Sequence, residues 1–209
     1  LNFASTCHAA VDCFVTIENV IGSGFNDRIV GDGGANALSG GDGLDELRGE
    51  AGSDTLTGEA GDDTLQGDGG DDLLTGGAGG DILDGGDNTD TASYADSNAR
   101  VVINLGLNFA SSGHAAGDSL RSIENIVGSR AGDTIKGNGL ANILDGGMGI
   151  GALTALAANT SQNALRIDLV GIVQTGNFSL VPGVIIAMAI TQVADNAVIQ
   201  PYIFARAAR

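Results

Sequence analysis

From Gly22 to Ser93 the sequence divides into nines without a single insertion: GSGFNDRIV, GDGGANALS, GGDGLDELR, GEAGSDTLT, GEAGDDTLQ, GDGGDDLLT, GGAGGDILD and GGDNTDTAS. Each unit opens on glycine. Its sixth residue is Asp27, Asn36, Asp45, Asp54, Asp63, Asp72, Asp81 or Asp90, and its eighth is Ile29, Leu38, Leu47, Leu56, Leu65, Leu74, Leu83 or, in the last unit, Ala92. A nine-residue period fits one tight turn of about six residues, where glycine takes up positive φ cheaply, followed by a short extended segment. Two units then complete one coil of a flattened spiral, with the eighth residues inward and the turns stacked along two edges. The expected fold class is all-β, a parallel β-roll or two-sided β-solenoid, with a C-terminal β segment whose fold the sequence leaves open.

A second array begins at Gly128 with GSRAGDTIK and GNGLANILD, followed by GGMGIGALT, in which Gly151 stands where the acid should be. A longer repeat overlies the nines. LNFASTCHAAVDCFVTIENVIGS at 1–23 matches LNFASSGHAAGDSLRSIENIVGS at 107–129, with 14 of the 23 positions identical. The expected organisation is therefore the end of a connector unit at 1–21, an array of eight units at 22–93, a connector at 94–127, a short second array at 128–154, and an apolar segment at 155–209. For that last segment three readings stay open: a β cap over the final coil, a divergent export segment, or sequence unrelated to the repeats. Its β-branched runs favour strands.

Charge is concentrated in the first array. Residues 22–93 hold 14 Asp and 3 Glu against Arg28 and Arg48, a balance of 2 minus 17, or -15, out of -17 for the whole chain. Such a surface repels nucleic acid and anionic membranes and selects cations. Aromatic residues are scarce, with 6 Phe, 2 Tyr and no Trp among 209 residues, so an ordinary globular core is not expected. The longest apolar run, Leu180 to Ile190, contains Pro182 and Gly183 and falls well short of the roughly 20 residues that span a bilayer; no membrane span is expected. The chain opens on LNFAST with neither a basic nor an apolar leader and reads as a fragment. Cys7 and Cys13 form no CxxC or Cys/His pattern and read as incidental thiols. There is no HExxH and no GxSxG, and His8 and His114 occupy equivalent places in the long repeat, so no catalytic constellation is expected.

The turns carry the chemistry. Repeated carboxylates and glycine carbonyls on stacked turns make oxygen-lined sites that suit a hard cation with six to eight ligands, which points to Ca²⁺, several ions per array. Mg²⁺ demands stricter octahedral geometry, and zinc or copper would want His or Cys, which the array lacks. A single aliphatic residue per unit buries too little to offset the ordering of nine backbones. Without metal, residues 22–93 are therefore expected to be largely unfolded, with binding energy becoming folding energy. The competing reading is a Gly/Asp-rich segment that never folds; the unbroken aliphatic at position eight argues against it.

At these residues the chain resembles the RTX proteins, a secreted bacterial family with the calcium-binding nonapeptide G-G-x-G-x-D-x-U-x. The resemblance implies a β-roll with Ca²⁺ between turns, passage through type I secretion machinery, a secreted or extracellular location, and folding where calcium is abundant. Carried over residue by residue, it implies carboxylate ligands at Asp27, Asp45, Asp54, Asp63, Asp72, Asp81, Asp90 and Asp133, with Asn36 and Asn142 as uncharged substitutes. Main-chain carbonyl ligands would come from Gly40, Gly43, Gly49, Gly52, Gly58, Gly61, Gly67, Gly70, Gly76 and Gly79. The expected function is a non-catalytic, calcium-binding module that supports structure, adhesion or secretion, acting on an unnamed extracellular or cell-surface target. The alternative is the non-catalytic C-terminal region of a secreted hydrolase, a metalloprotease or lipase. The C-terminal PYIFARAAR departs from the acidic and hydrophobic ending usual in the family.

Overall fold

A computed structural model describes residues 18–147 and three further strands, Ala152–Thr154, Ala164–Asp168 and Ile185–Ala189. The readings of Cys7 and Cys13, of Gly151, and of most of 155–209 lie outside the described residues. Each nine of the first array contributes one strand that carries its eighth residue, and successive strands alternate between two facing sheets. On one face Leu38 lies beside Leu56, Leu56 beside Leu74, and Leu74 beside Ala92, all in parallel register. On the other, Ile29, Leu47, Leu65 and Leu83 pair in the same way. The register step is 18 residues, two nines per coil, as the all-β parallel roll requires. Parallel strands buried on one side only are unusual; here the stacked turns, rather than helices, make the crossovers.

The core is a single file of side chains from each face. Leu47, Leu56, Leu65, Leu74 and Leu83 are fully buried, and Ile29, partly buried, packs against the core they form. Position seven points outward, leaving Leu73 and Ile82 each 37% exposed. The alternation in and out is the period-2 rule of an extended chain.

The connector is built into the roll. Thr91–Ser93 pairs in parallel with Asn125–Val127, placing Ala92 against Ile126, and Asn125–Val127 continues to Ile143–Asp145, so one nine-stranded sheet runs through both arrays. On the opposite face, Ser119–Arg121 adds to Ile82–Asp87 with Leu120 beside Leu83, and a separate four-stranded sheet takes over. That sheet contains the only antiparallel pair among the described strands, Val102–Asn104 with Phe109–Ser111, joined through a 3₁₀ turn at Leu105–Leu107. Tyr94, Val101, Ile103, Leu120, Ile123 and Ile126 bury their side chains in the same core. The connector thus adds five aliphatic side chains and one tyrosine to the core, and Tyr94 is larger than any core residue of the arrays.

Candidate metal centre

The position-six side chains do not lie on the surface. Asp27, Asn36, Asp45, Asp54, Asp63, Asp72, Asp81, Asp90, Asp133 and Asn142 are all buried, held at the inner corner where each turn enters its strand. They form two ladders. On one edge the backbone N–H of Asp27 donates to Asp45 Oδ1 at 2.7 Å, that of Asp45 to Asp63 Oδ1 at 2.8 Å, and that of Asp63 to Asp81 Oδ1 at 2.9 Å. On the other, Asn36 N–H donates to Asp54 Oδ1 at 2.7 Å, Asp54 to Asp72 at 2.8 Å, and Asp72 to Asp90 at 2.9 Å. Each aspartate therefore spends one oxygen on tying its coil to the previous one.

The second oxygen is the informative atom. Oδ2 of Asp45, Asp54, Asp63, Asp72, Asp81 and Asp90 is buried and has no hydrogen-bond partner. A buried polar atom left unmade costs about 1–3 kcal/mol, and more when charged, so six in register call for a ligand. Main-chain oxygen lies close by. A methyl group built on Gly58 would collide with both Asp63 Oδ2 and the Gly76 carbonyl oxygen, one built on Gly67 with Asp72 Oδ2 and the Gly85 carbonyl, and one on Gly49 with Asp54 Oδ2 and the Gly67 carbonyl. Position one must be glycine because a side chain would fill the space into which carboxylate and carbonyl point. Gly40 and Gly76 are crowded in the same way by Asp45 and Asp81.

The position-four glycines play a different part. Gly61 sits at φ 133°, and a methyl there would strike the Gly43 carbonyl oxygen of the coil before; Gly70 and Gly79 meet the carbonyls of Gly52 and Gly61 likewise. These carbonyls stack at the turn apex, coil upon coil.

Burial sets the charge state. It pushes the carboxyls of Asp45, Asp54, Asp63 and Asp72 above their ordinary value, opposed by the N–H each accepts and reinforced by neighbouring carboxylates. Asp81 is raised to about 7 and Asp90 to about 6, again chiefly by desolvation. Among the described residues no three Asp, Glu, His or Cys side chains gather at one point. A cation here would be held by carboxylate together with carbonyl oxygen, the donor set of Ca²⁺ rather than of zinc or copper.

Two ladder members escape the nonapeptide pattern. Asp118 Oδ1 accepts from the Asp81 N–H at 2.9 Å, and Glu124 Oε2 from the Asp90 N–H at 2.9 Å, so the connector supplies the next rung on both edges. The cue lay in the sequence: Asp118 stands two residues before Leu120 and Glu124 two before Ile126, the same step that separates the sixth and eighth residues of a nine. Gly85, whose carbonyl faces Asp72, and Ser122, whose carbonyl crowds Gly85 beside Asp90, were likewise outside the predicted set.

Residues 21–56 and 57–92 each match the family model of the RTX calcium-binding nonapeptide repeat (4 copies). This array belongs to the RTX repeats. No curated protein matches the chain. The RTX repeat is a calcium-binding repeat, and the ladder of buried aspartates fits calcium-binding turns; its β-roll is a structural, non-catalytic module. Among the described residues no helix is long and apolar enough to cross a membrane.

Proposed function

We propose that this chain is a calcium-responsive folding module of a secreted protein, unfolded where calcium is scarce and rigid where it is plentiful. The observation that carries the reading is the row of six buried Oδ2 atoms without a protein partner at Asp45, Asp54, Asp63, Asp72, Asp81 and Asp90. The carboxylates of these six aspartates, with the main-chain carbonyl oxygens beside them, would hold Ca²⁺, which would supply the positive charge that balances them. The protein's own share is to hold each carboxylate by Oδ1, to clear space with the position-one glycine, and to exclude water with the leucine file. The family likeness of 21–92 supports export through type I secretion machinery, with folding outside the cell, and a structural or adhesive role for the stiffened roll.

A calcium titration followed by far-ultraviolet circular dichroism tests this. A coil spectrum in chelator should turn to β with a midpoint of about 10⁻⁴–10⁻³ M, the range of extracellular calcium modules, while Mg²⁺ at equal concentration leaves the coil unchanged. A β spectrum indifferent to chelator would exclude metal-driven folding, and a midpoint near ~10⁻⁷ M would mean the chain folds before export.

A further inference from the structure

Resting on the calcium reading above, we infer that the arrays contain two kinds of rung, and that at the opening turns a serine occupies the place a cation takes elsewhere. The distinction lies in the second residue of each nine. At the six rungs with an unpartnered Oδ2, that residue is Gly41, Glu50, Glu59, Asp68, Gly77 or Gly86, with φ between 69° and 105°. Three of these are not glycine, so the left-handed turn is held against its ordinary cost.

At the remaining rungs the second residue is Ser23, Asp32, Ser129 or Asn138, none of which has positive φ. Its N–H now turns inward and donates to the position-six side chain: Ser23 to Asp27 Oδ2 at 2.5 Å, Asp32 to Asn36 Oδ1 at 2.9 Å, Ser129 to Asp133 Oδ2 at 2.6 Å, and Asn138 to Asn142 Oδ1 at 3.0 Å. The two serines add their hydroxyls, Ser23 Oγ to Asp27 Oδ2 at 2.8 Å and Ser129 Oγ to Asp133 Oδ1 at 2.6 Å. Donors that satisfy an anion also oppose a cation, because their hydrogens face the same space. Rotation of one backbone residue thus closes the rung.

The closed rungs are not scattered. Gly22-Ser23 and Gly128-Ser129 each directly follow a connector in the long repeat, and of the two rungs the described connector supplies, the one at Asp118 is closed as well, its Oδ2 accepting from the Tyr94 hydroxyl at 2.9 Å. Burial pushes the Tyr94 phenol far up, so it remains a donor. The described connector and the turn that follows it thus have Asp118 and Asp133 satisfied by protein donors, and the rungs with an unpartnered Oδ2 stack on it from Asp81 and Asp90 back through the first array. Asp27, Asn36 and Asp133, ligands by simple carry-over of the motif, belong to this second class.

Counting bound calcium in the full chain by equilibrium dialysis, with parallel folding titrations, separates the classes. Asp63→Ala should remove bound calcium and raise the folding midpoint on the order of tenfold, as loss of a charge-assisted ligand implies. Asp133→Ala should leave the calcium count at the parental value. In case Asp133→Ala does not fold, Ser129→Ala keeps the carboxylate and should lower the thermal midpoint in calcium with the count unchanged. Loss of bound calcium in Asp133→Ala or Ser129→Ala, equal to that in Asp63→Ala, would overturn the two-class inference and leave the calcium reading standing. An unchanged count in Asp63→Ala as well would overturn the calcium reading itself.

Discussion

Acidifying the chelator-treated chain from pH 7.5 to about pH 4.5 should restore β structure that is absent at neutral pH. Most carboxylates stabilise a folded protein when ionised, but the ladder reverses the sign. Burial raises Asp45, Asp54, Asp63 and Asp72, and takes Asp81 to about 7 and Asp90 and Asp118 to about 6, from an ordinary 3.8. The folded state then binds more protons than the unfolded state through the interval between 3.8 and 7. The stabilisation is complete below the unfolded value and is lost as pH rises through the folded one. A proton on Oδ2 removes the charge that a cation would otherwise balance, and the general self-repulsion of a chain at -17 eases in the same direction. With calcium present the effect inverts, because protons compete for the same oxygen, so the calcium midpoint should climb as pH falls through 6 to 7. Circular dichroism against pH, with and without chelator, records both. A metal-free chain that gains β structure on going from pH 5 to pH 8 would show that the ladder is not buried as described.

Removing carboxylates singly and together should give the second large effect. Asp63→Ala and Asp72→Ala should each raise the calcium midpoint on the order of tenfold, and the double substitution should approach the product of the two. Asp63 sits on the ladder that accepts from Asp45, and Asp72 on the one that accepts from Asp54; side chains that share no partner act additively in free energy. Asp62→Ala is the sharp control. Asp62 is adjacent in sequence and equally charged, but it is not among the buried residues, and its Oδ1 meets the Gly80 N–H in an exposed hydrogen bond. It should move the midpoint by less than about twofold, as expected for screened surface charge. If Asp62→Ala shifts the midpoint as far as Asp63→Ala, net charge rather than ligation governs the response.

The leucines show why so much of the roll was legible. An aliphatic residue recurring every nine positions cannot satisfy a helix or a simple alternating strand, and Leu38, Leu47, Leu56, Leu65, Leu74 and Leu83 all proved buried in the predicted parallel register. Asp45 through Asp90 were legible for the same reason, since a fixed phase relative to the leucine fixes the corner at which the acid sits. The connector obeys longer-range rules. Asp118 and Glu124 take up ladder positions 37 and 34 residues beyond Asp81 and Asp90, and no nine-residue window reveals that an insertion returns to the same edge. The antiparallel pair at Val102–Asn104 and Phe109–Ser111 interrupts the parallel rule for the same reason. The division of labour between Oδ1 and Oδ2 was illegible too, because it depends on the φ angle of the second residue, and Glu50 and Glu59 in the left-handed region contradict residue preference. Only the surrounding coils make that conformation affordable, since Glu59 pairs with Gly77 and Asp68 with Gly86 in the extended parallel register.

Hydrogen exchange at the backbone N–H groups of Asp45, Asp54, Asp63 and Asp72, each bonded to the carboxylate one coil on, tests the central claim most directly. In millimolar calcium these amides should be among the slowest in the chain, and in chelator at neutral pH they should exchange at nearly the rate of an unstructured peptide. Equal protection in the two solutions would mean that the leucine file holds the coils together unaided, and that the unpaired oxygens are not where the fold draws its stability.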